Sequence, residues 1–189
     1  MLRALLICGL FFVATCHDLP ADFLRRVRWL ATPAMIILPT IRLAGAGDAE
    51  LIARMSRDYI EQGLGWSWTP RRVLKAIHDH STNVAVLHED ASILGFGIMS
   101  YGEVKAHLVL LSIAPRHRQR GLGAALLAWL EKCARTAGLE RILLEARADN
   151  PGAIAFYQDR GYRAIGSVAG YYRGEVDAVR LQKSLVGQP

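Results

Sequence analysis

The stretch Leu108–Ala125, LVLLSIAPRHRQRGLGAA, decides how the chain is read. Its first seven residues, Leu108 to Ala114, form an apolar run suited to a buried strand, and Pro115 ends that run by removing a ladder donor. A basic turn with Arg116, His117, Arg118 and Arg120 follows, then Gly121 and Gly123, then a helical pattern through Leu126, Leu127 and Leu130. Strand, glycine-bearing basic turn and helix together make an anion site. Glycine lets the backbone come close to a ligand, and the unpaired N–H groups at the helix start lie at the positive end of its dipole. The arginines add charge-assisted hydrogen bonds. The expected ligand carries phosphate.

A chain of 189 residues has room for one domain with an appendage and a proper core. With 52% hydrophobic and 21% charged residues it is not a disordered chain. The net charge of +6 favours an acidic partner: nucleic acid, a polyphosphate cofactor or an anionic membrane surface. The basic residues are local (Arg25 to Arg28, Arg71 to Lys75, Arg116 to Arg120) and lack the aromatic interleaving of a single-strand binder. Nucleic acid is therefore not the expected partner. Cys8, Cys16 and Cys133 are odd in number and lack ligand spacing, which fits a reducing compartment. His78, His80 and His88 lack a third ligand at metal spacing, so no metal is expected.

Residues 1–34 differ from the rest. Arg3 precedes eleven uncharged, mostly apolar residues, Ala4 to Ala14. Spanning a bilayer takes about 18 or more. The run matches the core of a signal peptide, and ADFLRRVRWL after it is basic and amphipathic. Three readings compete: an export signal, a membrane-proximal anchor through residues 1–30, and an extension outside the working protein. The third is favoured, with a domain over residues 35–187 and a cytoplasmic location.

Within that domain the pattern predicts a strand over Ile36–Leu43 and a helix capped by Asp48, with Leu51, Ile52, Met55, Tyr59 and Ile60 on its apolar face. The loop GLGWSWTP leads through Thr69 as cap and Pro70 into a second helix to His78. Strands follow at Val84–Leu87, Ile93–Met99 and Leu108–Ala114, with a turn at Glu89 and Asp90. A helix over Gly121–Ala137 is stopped by Gly138, and a strand follows over Ile142–Ala148. A short helix runs between Asn150 and Gly161, and Tyr162–Tyr172 and Val176–Leu185 close the chain as strands. The order β-α-α-β-β-β-α-β-α-β-β makes an α/β (α+β) fold: a mixed, mostly antiparallel sheet of about seven strands with helices on both faces.

Two further features carry chemistry. Glu145 interrupts ILLEARA, where alternation places it on one face with Leu143 and Arg147. A carboxylate inside an apolar strand is costly to desolvate, so it has either a partner, such as Arg147 or another arginine, or a task. In ADNPGAIAFYQDRGY, Asn150 caps a helix whose Phe156 and Tyr157 point about 100° apart, so that one packs on the sheet while the other reaches elsewhere. Tyr157 is either a core aromatic or a functional phenol.

Together these stretches resemble the GNAT superfamily of acetyl-coenzyme A-dependent N-acetyltransferases. Arg118-x-x-Gly121-x-Gly123 is similar to the family's pyrophosphate loop, and Asn150-x-x-Ala153-x-x-Phe156-Tyr157-x-x-x-Gly161-Tyr162 to its late helix. LLEARADNPGAIAFYQDRGY and YYRGEVDAVRLQKSL are most similar to the branch that acetylates the N-terminal alanine of a ribosomal protein. The resemblance implies acetyl-CoA as cosubstrate. It would be held by Leu111, Ser112 and Ile113, with the Ile113 N–H on the thioester carbonyl, by Arg118, Gln119, Arg120, Gly121, Leu122, Gly123 and Ala124 around the pyrophosphate, and by Asn150 on the pantetheine arm. It further implies Glu145 as general base, commonly through water, and Tyr157 as the acid that protonates the leaving thiolate. Trp66, Tyr171 and Tyr172 fall on the substrate side. His107 and Glu103 also lie near that side but are read as structural, and Cys133 as packing. The segment GLGWSWTPRRV departs from the branch's pattern where the fold receives its acceptor. A protein N-terminal α-amine is the expected acceptor. A small-molecule amine, or a CoA-binding module without turnover, are the alternatives.

Overall fold

A computed structural model describes residues 39–187. The expectations for residues 1–34, and the first part of the Ile36–Leu43 strand, lie outside the described residues. The elements are β1 (Thr40–Leu43), α1 (Ala49–Tyr59), α2 (Pro70–His78), β2 (Thr82–Glu89), β3 (Ser92–Tyr101), β4 (Lys105–Ile113), α3 (Leu122–Thr136), β5 (Arg141–Arg147), α4 (Pro151–Gln158), β6 (Arg163–Tyr172) and β7 (Val176–Ser184), with single 3-10 turns at Ala46–Asp48 and Pro115–His117. The seven strands form one sheet in the order β1-β2-β3-β4-β5-β7-β6. Every neighbouring pair is antiparallel except β4 with β5.

Both faces are covered, because alternate strand residues point opposite ways. One face packs Leu126, Leu127, Leu130 and Ala134 of α3 onto Met99, Ala106, Leu108, Ile142 and Leu144. The other packs Ile52, Ala53 and Met55 of α1 and Val73 of α2 onto Val84, Val86, Phe96, Ile98 and Leu110. Each fully buried Leu or Ile contributes about 1.5–3 kcal/mol from burial.

Leu108 and Leu110 share parity yet sit on opposite faces. The reason is a bulge. Met99 pairs with Leu108 and Ile98 with Leu110, so Val109 is extra and the strand changes face across it.

Most boundaries shift by a residue or two from the sequence pattern, and two of the shifts have a plain physical cause. β4 begins at Lys105, where polar residues hide the alternation, and α3 begins at Leu122 because Gly121 takes a left-handed conformation (φ 77°) before the helix. Asp48 stands at the start of α1, but its carboxylate does not cap the helix. It accepts from the Gly45 N–H (2.7 Å) and holds the Arg42 guanidinium with both oxygens (2.6 and 3.1 Å). Thr69 caps α2 as expected, through the Arg72 N–H at 3.4 Å.

Candidate active site

The parallel pairing of β4 with β5 covers only Lys105 with Arg141, Ala106 with Ile142 and His107 with Leu143. Beyond it β5 stays on β7 and β4 stays on β3, so a wedge opens between Leu108–Ile113 and Leu144–Arg147. The Ala114 N–H donates to the Leu94 carbonyl at 2.8 Å. Antiparallel ladders use alternate residues, so Ser112 also faces β3, and the N–H groups of Leu111 and Ile113 turn toward the wedge. A pair of backbone donors at a strand edge is a place for a ligand carbonyl.

The loop after β4 curls through Gln119 (φ 58°) and Gly121 (φ 77°) into α3. The Ala125 N–H donates back to the Gly121 carbonyl (3.0 Å), which leaves the N–H groups of Leu122, Gly123 and Ala124 without helical acceptors. A Cβ at Gly121 would meet nothing; its backbone angle, not space, calls for glycine. Arg118 and Arg120 are placed differently from free anion ligands. Arg118 Nε donates to the Ile113 carbonyl (2.9 Å) and braces the loop on the strand end, and Arg120 Nη1 lies 3.1 Å from His117 Nδ1.

Across the wedge, Asn150 caps α4 by accepting the Ala153 N–H at 3.0 Å, so its Nδ2 amide is the group left to face a ligand. Phe156 lies over Gly123, and Tyr157 packs edge-on against Phe156 (5.1 Å) and Tyr162 (5.6 Å). Burial, with a smaller contribution from nearby Tyr172, pushes the Tyr157 phenol well above the ordinary tyrosine range. It stays protonated throughout the neutral range. Tyr172 donates to the Glu145 backbone carbonyl (3.3 Å), and burial followed by Tyr171 and Glu145 pushes its hydroxyl to about 12. Tyr171 packs edge-on against it at 5.0 Å.

Glu145 has both a partner set and a position beside the wedge. Its Oε2 lies 2.6 Å from His107 Nε2 and its Oε1 accepts from Arg180 Nε at 2.9 Å. Its side chain is only 9% exposed. Burial pushes its carboxyl up, but His107 and Arg180 together outweigh this and hold it below the usual carboxylate range. The three lie in an open depression of about 410 Å³ bordered by Lys105, Ile165 and Gln182. Arg147, the partner weighed first on sequence grounds, goes elsewhere: it pairs with Asp149 (2.8 and 2.7 Å) and reaches the Gln62 carbonyl at 3.4 Å. Sequence reasoning passed over the role of His107 and Arg180. The only available signal was the shared face of His107, Glu145 and Arg180, which needs the register His107–Leu143 and Glu145–Arg180 to be known.

The loop between α1 and α2 rims this side. It is organised by Glu61, another residue the sequence did not single out. The buried Glu61 carboxylate accepts from Ser56 Oγ (3.0 Å), the Ser67 N–H (2.9 Å), Ser67 Oγ and the Trp68 N–H (3.2 Å). The two tryptophans part company. Trp68 is buried in the core under Arg72, whereas Trp66 is exposed and donates its Nε1–H to the Trp68 carbonyl (2.9 Å). The β6–β7 turn meets this loop, where the Arg173 guanidinium fills the space a side chain at Gly65 would need. Cys133 is half-buried on α3, its thiol pushed up by burial, away from the wedge face. Among the described residues no group of three His, Cys, Asp or Glu is placed to hold a metal ion, and no helix is long and apolar enough to cross a membrane.

The same architecture occurs in known proteins. The structure of Ard1 from Thermoplasma volcanium superposes with a TM-score of 0.71 at 24% identity, covering 78% of this chain and 98% of that one. N-alpha-acetyltransferase 20 of Dictyostelium discoideum is 35% identical over 97 residues, which is 48% of this chain and 51% of that protein. Streptothricin acetyltransferase of Streptomyces lavendulae is 32% identical over 98 residues, 51% of each. The chain thus spans about half the length of these curated relatives. The model of the Acetyltransferase (GNAT) family matches residues 51–162, from α1 through α4 to the start of β6. The chain belongs to the GNAT acetyltransferase family.

Proposed function

We propose that this protein transfers the acetyl group of acetyl-CoA to a primary amine, a protein N-terminal α-amine, by direct attack of nitrogen on the thioester. The observation that carries the reading is the wedge. Its β4 edge offers the N–H groups of Leu111 and Ile113, α3 presents its unpaired N–H groups above, and Glu145 and Tyr157 flank it.

In this reading the pyrophosphate lies on Gln119 to Ala124, where backbone donors and helix dipole meet it, with the charge of Arg120 beside them. Arg118 holds the loop in shape. The pantetheine arm continues β4 as a pseudo-strand, with the Asn150 amide across from it, and brings the thioester carbonyl to the wedge donors, among them the Ile113 N–H. Those donors stabilise the oxyanion of the tetrahedral intermediate; loss of one such donor costs about 10²–10³ in rate. The amine loses its proton toward Glu145, the N–C bond forms, the C–S bond breaks, and coenzyme A leaves as a thiolate that takes the Tyr157 proton. Half-buried and firmly protonated, Tyr157 suits that task.

Two considerations support an α-amine. Its pKa near 8, against about 10.4 for lysine, leaves more of it unprotonated at neutral pH. The acceptor depression is also poor in free negative charge: Glu145 is held by His107 and Arg180, and Lys105 stands at the rim. A polycation would be repelled there. The relative named N-alpha-acetyltransferase 20 supports the same acceptor. The relative named streptothricin acetyltransferase keeps a second reading in view, transfer to a small-molecule amine, with Trp66 and the α1–α2 loop as the specificity element. A cytoplasmic location, with neither nucleic acid nor a membrane as stable partner, goes with the reading.

The test is free-thiol release from acetyl-CoA with a panel of acceptors: lysine-free peptides with free N-termini, N-blocked peptides with one lysine, polyamines and aminoglycosides. Release with the first class alone is expected. Release with small amines alone transfers the function to the second reading, and binding of acetyl-CoA without release on any acceptor identifies a binding module.

A further inference from the structure

We infer that His107 is the group that takes the proton from the acceptor amine, with Glu145 and Arg180 as the residues that orient and charge-balance it. The inference rests on the acetyl-transfer reading above and refines it in one respect: His107, rather than Glu145, receives the proton that leaves toward the Glu145 side.

An ionised carboxylate only accepts hydrogen bonds, so in the neutral imidazole the 2.6 Å contact places the proton on His107 Nε2 and makes Nδ1 the lone-pair nitrogen. Glu145 itself is poorly placed to accept a proton. Both of its oxygens are engaged, one by His107 and one by the Arg180 Nε–H, and its side chain is nearly closed off from solvent. The His107 side chain is 39% exposed and open to the depression. The position is built rather than incidental. The face change at the Val109 bulge lies just beyond His107, and the last β4–β5 pair, His107 with Leu143, holds the imidazole beside Glu145 at the apex of the wedge.

The step balances. The amine proton passes to His107 Nδ1, directly or through one water, as nitrogen bonds to the acetyl carbon. The imidazolium so formed is stabilised by the Glu145 carboxylate, whose second oxygen stays on Arg180. The C–S electron pair leaves with sulfur, which takes the Tyr157 proton; His107 returns its proton to solvent and Tyr157 is reprotonated from it. The charged and titratable groups facing the imidazole are Lys105 on its own strand, Glu145 on β5 and Arg180 on β7. Tyr171 on β6 approaches through Glu145.

The test compares wild type with His107→Gln, whose amide retains a donor toward Glu145 but is not basic. Both are assayed on the amine that wild type acetylates and on the same acceptor with its amine replaced by an aminooxy group, which is unprotonated at neutral pH. With the amine, kcat is expected to fall by about 10²-fold or more while KM changes little. With the aminooxy acceptor the defect shrinks. An unchanged kcat, or equal defects on both nucleophiles, overturns the assignment of His107. If wild type acetylates only a small amine, the α-amine reading fails while the same comparison on that amine still decides His107. An enzyme without turnover on any amine overturns both.

Discussion

The two sides of the wedge are built from different materials. The side assigned to acetyl-CoA is mostly backbone: the N–H groups of Leu111 and Ile113, the left-handed turn through Gln119 and Gly121, the open first turn of α3 and the cap of α4 at Asn150. The side proposed for the acceptor is mostly side chain. His107, Glu145 and Arg180 come from three strands, Glu61 ties Ser56, Ser67 and Trp68 together, and Arg173 leans on Gly65. Backbone-built binding needs only the right local conformation and tolerates many side chains. A side-chain-built site changes with each substitution. One scaffold can therefore keep its cosubstrate while its acceptor varies, as the names of the relatives N-alpha-acetyltransferase 20 and streptothricin acetyltransferase indicate.

The contrast is broken most directly at Glu145. Glu145→Gln is expected to lower kcat by about 10²–10⁴ while acetyl-CoA still binds, read by single-turnover kinetics beside calorimetric titration. A matching loss of cosubstrate affinity would mean that the two sides are not separate. Tyr157→Phe comes next, with a kcat loss of about 10²-fold that shrinks for a thioester with a more acidic leaving thiol, since such a thiolate needs no proton. Gly121→Val attacks the other side. Forcing a β-branched residue to φ 77° costs roughly 1–2 kcal/mol, and the expected result is a raised KM for acetyl-CoA with an unchanged KM for acceptor.

How much could be read in advance follows the same division. The Leu108–Ala125 motif and the Asn150–Tyr162 helix are contiguous, and their turn glycines, caps and apolar periods are local signals; the elements they predict are present to within a few residues. The His107–Glu145 contact spans 38 positions and depends on the bulge at Val109, which no local pattern announces. Glu61 follows α1 with no local pattern that marks it. Only the folded loop shows four donors converging on it.

Glu61→Gln sharpens the acceptor side. Replacing an oxygen that accepts from Ser67 with a donor leaves a buried mismatch of about 1–3 kcal/mol. Thermal unfolding should report that loss, and acceptor KM should rise with cosubstrate affinity intact. The pH dependence of stability offers a smaller effect. Glu145 has its folded pKa depressed, so its ion pairs stabilise the fold at and above the ordinary carboxylate range, and that contribution is lost as pH falls through the folded value. Denaturant titrations from neutral to acidic pH should show a shallower decline in Glu145→Gln than in wild type. Smallest is Trp66→Ala: exposed on the loop, its loss should leave stability within about 0.5 kcal/mol while shifting acceptor preference across the peptide panel.

The most direct measurement is a crystal structure with a bisubstrate conjugate, coenzyme A joined through an acetyl bridge to the α-amine of a short peptide. The pyrophosphate is expected on the Gln119–Ala124 loop, the bridging carbonyl on the wedge N–H groups of β4, and the peptide nitrogen facing the His107–Glu145 pair with the peptide leaving past the Trp66 loop and the β6–β7 turn. A conjugate whose nitrogen lies away from His107 and Glu145, or whose carbonyl is held outside the wedge, would contradict that arrangement.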